Sequence, residues 1–318
     1  MEIISNCTNS AIKKAARALK DGHLVAFPTE TVYGLGADAN NAKAVGRIYS
    51  VKGRPMDHPL IVHISSINFL DKWAINIPDY AIKLARTFWP GPLTLILKRS
   101  ELARQYITGG QESVGIRVPS QKIALQLLTE FENLGGVGIA APSANRFGAV
   151  SPTNANDVNE EIGTYLSSKD YILDGGQCHV GVESTIIDCS GKSPNILRPG
   201  AITSEIISVA TGLNISKSFN KNLTRTSGIL DSHYSPKAKV ILDVNAKPGE
   251  GLIAMADIPT PIGAIRLATP LTVEQYAKDL YGALRLCDQK NLKKVIVIQP
   301  NGGGLAVAIR DRLSKSAM

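Results

Sequence analysis

The 318-residue sequence predicts an α/β protein in two parts: a mixed, twisted sheet flanked by helices, followed by a smaller α/β domain. Three observations carry that expectation. The chain is longer than one hydrophobic core usually serves. Over the first 200 residues, apolar strand patterns outnumber the helical ones between them and several follow one another directly, which suits a mixed sheet better than strict βαβ alternation. Between residues 212 and 232 (GLNISKSFNKNLTRTSGILDS) the sequence turns polar and loses its periodicity, as a linker does. The expected boundaries are 1–203 for the first domain, 204–236 for the linker and 237–318 for the second domain.

Ser10 is the expected N-cap of a helix whose apolar positions Ile12, Ala15, Ala16 and Leu19 share a face, closing at Asp21-Gly22. Residues 24–27 form a short apolar strand that Pro28 ends. A turn rich in hydroxyls and glycines follows (Thr29, Thr31, Gly34, Gly36), then a helix over 42–50. A buried strand is expected at 60–64, and a helix at 78–88 stopped by Trp89-Pro90-Gly91-Pro92. Residues 93–97, 114–118 and 137–141 read as strands, with a helix over 121–131. Further strands are expected at 171–173, 185–188 and 195–197, then a short helix at 204–210. In the second domain, strand patterns at 240–244, 252–255, 262–266 and 294–298 alternate with helices at 273–289 and 305–313. Tyr276, Leu280, Leu284 and Cys287 fall on one face of the long helix. Such alternation argues for a mainly parallel sheet.

Hydrophobic residues at 44% and charged residues at 19% describe an ordinary globular chain. No apolar run approaches the roughly 20 residues a membrane helix needs. The N-terminal MEIISNCTNS lacks a basic segment leading into an apolar one, so no secretory signal is expected and the cytoplasm is the default compartment. Cys7, Cys178, Cys189 and Cys287 are scattered without a Cys-x-x-Cys pair, so neither a zinc site nor a disulfide framework is expected. Residues 201–318 carry 15 Lys and Arg against 9 Asp and Glu, most of the net charge of +8. That excess leaves RNA contact open, but an excess of this size more often serves solubility than recognition.

Several polar residues fall where chemistry could use them. In an extended Lys52-x-Arg54 both side chains share one side of the backbone, and Pro55 biases Arg54 toward that geometry. Two aligned cations beside a glycine-rich turn make a polyphosphate seat; a solvated basic loop is the competing reading. Arg117 interrupts the apolar VGIRVP strand, where it needs an anion, either a structural acid or a ligand. Ser143 and Asn145 follow a strand, and Ser151-Pro152-Thr153 opens the next helix; such groups either donate to phosphate or cap the chain. Ser184 precedes a strand and Arg198 ends one, with a cap and a surface arginine as the plainer readings. His63, inside PLIVHI, reads by itself as a core histidine. Ser232-His233-Tyr234-Ser235-Pro236 concentrates ring side chains after the polar stretch, as a run that packs one domain onto another does.

Two nucleotide motifs fail. Gly34-x-Gly36-x-x-Ala39 is separated from its strand by Pro28, Thr29 and Glu30, where a tight turn is needed. Gly191-Lys192-Ser193 has Ile186 in place of the leading glycine and Pro194 in place of a helix. No acidic cluster is spaced as a metal cage, and no Gly-x-Ser-x-Gly elbow is present.

Taken in order, PTETVYGLGADA (28–39), KGRP (52–55), PLIVH (59–63), SAN (143–145), SPT (151–153), LRPG (197–200), SHYSP (232–236) and the Gly302-Gly303-Gly304 segment running to Arg310, Arg312 and Leu313 resemble the YrdC-like threonylcarbamoyl-AMP synthases in their long form. The resemblance implies a YrdC-like first domain and a Rossmann-like second one. It implies ATP contacts from Lys52, Arg54, His58, Ser113, Ser143, Asn145, Ser151, Arg198 and Tyr234, with Lys52 and Arg54 as the catalytic cations. It implies threonine contacts from Thr31, His63, Arg117, Ala141 and Ser184. His58 stands where the family usually has asparagine, and Phe147 where it usually has serine. The implied reaction joins L-threonine, bicarbonate or CO2, and ATP into threonylcarbamoyl-AMP and pyrophosphate, with Mg2+ arriving on the ATP. The product would pass to the tRNA threonylcarbamoyl transferase machinery for N6-threonylcarbamoyladenosine, with a weak direct tRNA contact left open. Two rival functions stand beside it. One is a carbamoyl-adenylate-forming enzyme like the YrdC-like modules of hydrogenase maturation, which carry zinc-binding cysteine pairs and extra domains. The other is a non-catalytic RNA-binding module.

Overall fold

Two sheets organise the chain in the computed structural model, which describes residues 1–215, 225 and 234–317. The first unit runs β1 (Glu2–Ile4), α1 (Asn9–Lys20), β2 (Val25–Phe27), β3 (Gly34–Asp38) and α2 (Ala42–Lys52). It continues through β4 (Ile61–His63), a one-turn α3 (Leu70–Trp73), α4 (Asp79–Phe88), β5 (Leu93–Lys98) and a one-turn α5 (Gln105–Thr108). Then come β6 (Ser113–Arg117), α6 (Lys122–Asn133), β7 (Ile139–Ala140), α7 (Ala155–Ile162), β8 (Tyr171–Leu173), β9 (Thr185–Asp188), β10 (Asn195–Arg198) and α8 (Ser204–Thr211). Across the sheet the order is β1-β8-β2-β3-β7-β4-β6-β5-β9-β10, with parallel and antiparallel neighbours mixed. The second unit is β11 (Lys239–Leu242), β12 (Gly251–Ile253), β13 (Ile265–Ala268), α9 (Val273–Gln289), β14 (Lys294–Val297) and α10 (Leu305–Ser316). Its strands lie in the order β11-β14-β12-β13, and each described pairing is parallel.

Alternation along β2 shows how the large sheet is covered. Val25 and Phe27 join Ile12, Leu19, Leu127 and Phe131 of α1 and α6, while Ala26 joins the core containing Ile48, Trp73, Leu95 and Ile116. Successive strand residues point to opposite faces, so helices bury the sheet on both sides.

Local chemistry differs from the sequence expectation at four places. Gly34 to Asp38 is a strand paired antiparallel to β2, not a turn. A Cβ on Gly36 would come 2.8 Å from Ile139 and 2.9 Å from Phe27, so this glycine serves close packing across the sheet. The hairpin turn falls to Thr29–Val32, where Thr29 donates to the Val32 carbonyl at 2.6 Å. Lys52 ends α2 and Gly53 caps it in the left-handed region at φ +61°, so Lys52-x-Arg54 is not extended. Thr8, not Ser10, caps α1 and accepts from the Ala11 N–H. Asn154 caps α7 by accepting from the Asp157 N–H, which leaves Ser151-Pro152-Thr153 in the loop before that helix. β1, α3 and α5 span only three or four residues each, too few to show a period.

The two units share a seam. Val32, Val150 and Val182 of the first pack in one cluster with Tyr234, Tyr276, Tyr281 and Leu284. Gly181, at φ +80°, lies so close to α9 that a Cβ would stand 2.4 Å from the Ala277 carbonyl. Arg285 of α9 donates to the Val150 carbonyl and pairs with Glu161 at 3.2 Å. Among the described residues no helix is long and apolar enough to cross a membrane.

Candidate active site

One pocket collects nine of the residues singled out from sequence: Thr31, Arg54, His63, Arg117, Ala141, Ser143, Ser184, Arg198 and Tyr234. Parallel pairing explains part of this. His63 and Arg117 are register partners at the carboxyl ends of β4 and β6, so the two strands deliver both side chains to the same edge. Thr31 comes from the β2–β3 hairpin, Ala141 and Ser143 from the loop after β7, Ser184 from the residue before β9, and Arg198 from the end of β10.

Arg117 answers the question its sequence left open, because it has an acidic partner. Its Nη2 lies 2.6 Å from Glu30 Oε1, with both side chains buried, and Glu30 Oε2 accepts from the Ser120 N–H. Its buried Nε has no hydrogen-bond partner among the described residues, so donor capacity remains on the guanidinium. His63 Nδ1 is likewise buried without a partner, and its ring meets Phe27 edge-on at 5.9 Å. Burial, with Arg117 beside it, pushes the imidazole down to about 3, so His63 is neutral at ordinary pH. The Thr29 and Thr31 hydroxyls are 2.8 Å apart, and Ser184 Oγ is 2.8 Å from Thr94 Oγ1.

That neutral histidine has a measurable signature. Between pH 6.5 and about 3 the unfolded chain binds a proton at His63 that the folded chain does not, so folded stability falls as pH drops through that window. A His63→Gln variant is expected to lose less stability than the parent between pH 7 and pH 5, by up to about 2 kcal/mol in urea unfolding. Identical pH slopes for the two proteins would contradict the assignment.

The cationic side is built differently from a paired stripe. Lys52 lies beneath the pocket, where its ammonium donates to the carbonyls of Ser143 (2.6 Å) and Asn145 (2.5 Å). Burial and the neighbouring Arg54 hold its pKa well below the usual lysine value. Arg54 reaches the pocket itself, donates to the Pro59 carbonyl at 3.0 Å and lies 5.8 Å from the Phe147 ring. Phe147 also meets the half-buried His58 edge-on at 5.2 Å. Arg198 donates to the Ser184 carbonyl and hydroxyl.

Lys52, His58, Ser113, Asn145 and Ser151 do not line the pocket. Asn145 spends its amide hydrogens on the Arg146 and Ala149 carbonyls, which shapes the loop. The Ser151 hydroxyl donates to Glu183 at 2.7 Å, so in this state it offers only lone pairs. Ser113 faces a separate small cavity with Pro59, Gln111 and Arg225. Of the SHYSP run, Ser232 and His233 lie outside the described residues. Tyr234 lines the pocket with a strained φ of +64°, stacks on Tyr281 with ring centres 5.8 Å apart, and accepts from Ser316 at its carbonyl.

Sequence reasoning gave no site role to Glu183, Tyr281 or Arg312, although Arg312 lies in the C-terminal segment of the resemblance. Glu183 is an acid on the pocket wall, and its Oε2 accepts from the Tyr281 hydroxyl at 2.9 Å and from Arg312 Nε at 2.8 Å. Burial alone would raise its pKa, but Arg312 and Arg198, with the hydrogen bonds from Arg312 and Ser151, hold it down to about 2. Arg312 and Tyr281 come from α10 and α9, remote in sequence from the acid they meet. The available signal was Arg312 itself, an arginine inside the apolar stripe Ile309, Arg312, Leu313.

The comparisons with known proteins fall on the same two units. The Sua5–YciO–YrdC family model, described as telomere recombination, matches residues 17–200. A model described as threonylcarbamoyl-AMP synthase, C-terminal domain, matches residues 202–318. The threonylcarbamoyl-AMP synthase of Pyrococcus abyssi is 39% identical over 325 aligned positions, which cover 96% of this chain and 94% of that protein. The synthase of the same description from Bacillus subtilis is 37% identical, covering 96% and 92%. The crystal structure of Pyrococcus abyssi Sua5 complexed with L-threonine superposes with a TM-score of 0.88 at 36% identity, covering 100% of this chain and 97% of that one.

Proposed function

The chain belongs to the Sua5–YciO–YrdC family in its two-domain, threonylcarbamoyl-AMP synthase form, and from that membership we propose its reaction and the role of each pocket residue. It joins L-threonine and ATP, with CO2 or bicarbonate, into L-threonylcarbamoyl-AMP and pyrophosphate. The observation that carries the reading is a single pocket lined by Arg117, His63, Thr31 and Ser184 together with Arg54 and Arg198.

Arg117 takes the threonine carboxylate through its fork, with Glu30 holding the guanidinium from behind. A neutral His63 beside it adds no charge against the amine, and Thr31 and Ser184 supply hydroxyls. The ammonium gives up one proton to solvent, and the free amine adds to CO2 and releases a second as the carbamate forms. A carbamate oxygen then attacks the α-phosphorus in line, and the α–β bridging oxygen leaves with pyrophosphate. Catalysis of this kind is positioning plus neutralisation of phosphate charge. Arg54 and Arg198 supply that charge from the wall, and Lys52 supplies it from beneath while fixing the Ser143–Asn145 loop. Tyr234 closes the nucleotide side. Mg2+ bound to the triphosphate itself would add to the neutralisation of phosphate charge that Arg54, Arg198 and Lys52 provide. Among the described residues no group of three His, Cys, Asp or Glu gathers, and Glu183 is engaged by Arg312. A mixed anhydride of carbamate and phosphate hydrolyses readily, so we place the protein in the cytoplasm beside the machinery that transfers the threonylcarbamoyl group to tRNA.

Pyrophosphate release from ATP tests this reading against both rivals. Release that requires threonine and bicarbonate is the expected result. Release driven by carbamoyl phosphate without threonine would point to carbamoyl-adenylate formation, and absence of turnover to a binding module.

A further inference from the structure

We propose that Arg312, on the last helix of the C-terminal unit, is a positioning residue for the nucleotide half of the N-terminal pocket, cancelling the charge of Glu183 on the pocket wall so that a polyphosphate can settle beside it. The inference rests on the ATP-dependent reading above. An ionised carboxylate on the wall of a polyphosphate pocket is a liability, because like charges at pocket distances repel strongly where water is scarce. Glu183 is such a carboxylate: it lines the pocket, is buried, and stays ionised with a pKa of about 2.

The cation that meets it comes from the other unit. Arg312 is fully buried, with Nε 2.8 Å from Glu183 Oε2, and its Nη1 pairs with Asp311 at 2.6 Å. Tyr281 donates to the same Glu183 oxygen, Ser151 donates to the other, and Arg198 and Arg312 are the cations that act on the carboxylate. Lys315, one turn on, pairs with Asp311 at 2.9 Å. Arg312 does not line the pocket, so its influence on a nucleotide passes through Glu183 and through Tyr234, whose ring lies 5.6 Å from the guanidinium. Without Arg312 the uncompensated acid would draw on Arg198, a cation the phosphates need. The C-terminal unit thereby completes the charge balance of a pocket built in the N-terminal one.

The test compares three full-length variants by calorimetric titration with Mg-ATP and, separately, with threonine. Arg312→Gln is expected to weaken ATP binding about 10-fold or more while changing threonine affinity far less. Glu183→Gln is expected to tighten ATP binding, and the double variant Glu183→Gln/Arg312→Gln to return within about threefold of the parent. A merely structural pair predicts otherwise: either single change breaks the same buried contact, so both would weaken ATP and threonine together, and that result overturns the proposal. Should Arg312→Gln fail to fold, the other two decide. Weaker ATP binding by Glu183→Gln overturns the proposal, and parent-like binding by the double variant supports it. A parent that binds both ligands yet releases no pyrophosphate sinks the synthase reading while the charge comparison still stands; a parent that binds no ATP overturns both.

Discussion

Replacing Lys52 with alanine is expected to lower threonylcarbamoyl-AMP synthesis by about 10²-fold or more, mostly in turnover rather than in threonine affinity. The ammonium does two things at once. It donates to the Ser143 and Asn145 carbonyls, and it places positive charge under the proposed phosphate site. Without it, two inward carbonyls lose their donor, at about 1–3 kcal/mol each, and the loop after β7 is released. Burial and Arg54 already disfavour the charged form, so an incoming triphosphate is the anion that would complete the site. Steady-state synthesis, read alongside thermal unfolding, separates loss of chemistry from loss of fold. A folded Lys52→Ala protein with near-parental turnover would remove Lys52 from the mechanism.

The second large effect is expected at Arg117. Arg117→Ala would leave Glu30 as a buried, unpaired carboxylate, a change that destabilises by about 3–5 kcal/mol and confuses binding with folding. Arg117→Lys is the cleaner experiment because it keeps a cation for Glu30 but cannot present a fork. It is expected to fold and to raise the KM for threonine by about 10²-fold, with the KM for ATP changed less than about threefold. An unchanged threonine KM would mean that Arg117 serves Glu30 alone.

Much of this arrangement was legible in the chain because it is local. Arg117 in an apolar strand announced a residue that needs an anion, whereas His63 read by itself as a core histidine and Ser143 as a donor or a cap; the family resemblance singled out all three, and the pocket brings them together. What could not be read came from packing between segments. The glycines of β3 look like turn residues until Ile139 and Phe27 press on Gly36, and only then does their role as a strand become clear. Lys52 and Arg54 converge through a helix end and a left-handed glycine, which sequence alternation cannot convey. Glu183, Tyr281 and Arg312 meet across the seam between the units, and their encounter depends on how α9 and α10 are set against the large sheet. Periodicity reports which face of a helix is buried but not against what.

The central claim is that one pocket holds threonine on the Arg117 side and ATP on the Arg54 and Arg198 side at the same time. Calorimetric titration of threonine into protein saturated with an ATP analogue whose α–β bond cannot be cleaved tests it most directly. The account predicts one threonine bound per chain in the presence of the analogue, and loss of that binding in Arg117→Lys. Mutual exclusion of the two ligands, or no binding of either, would contradict it.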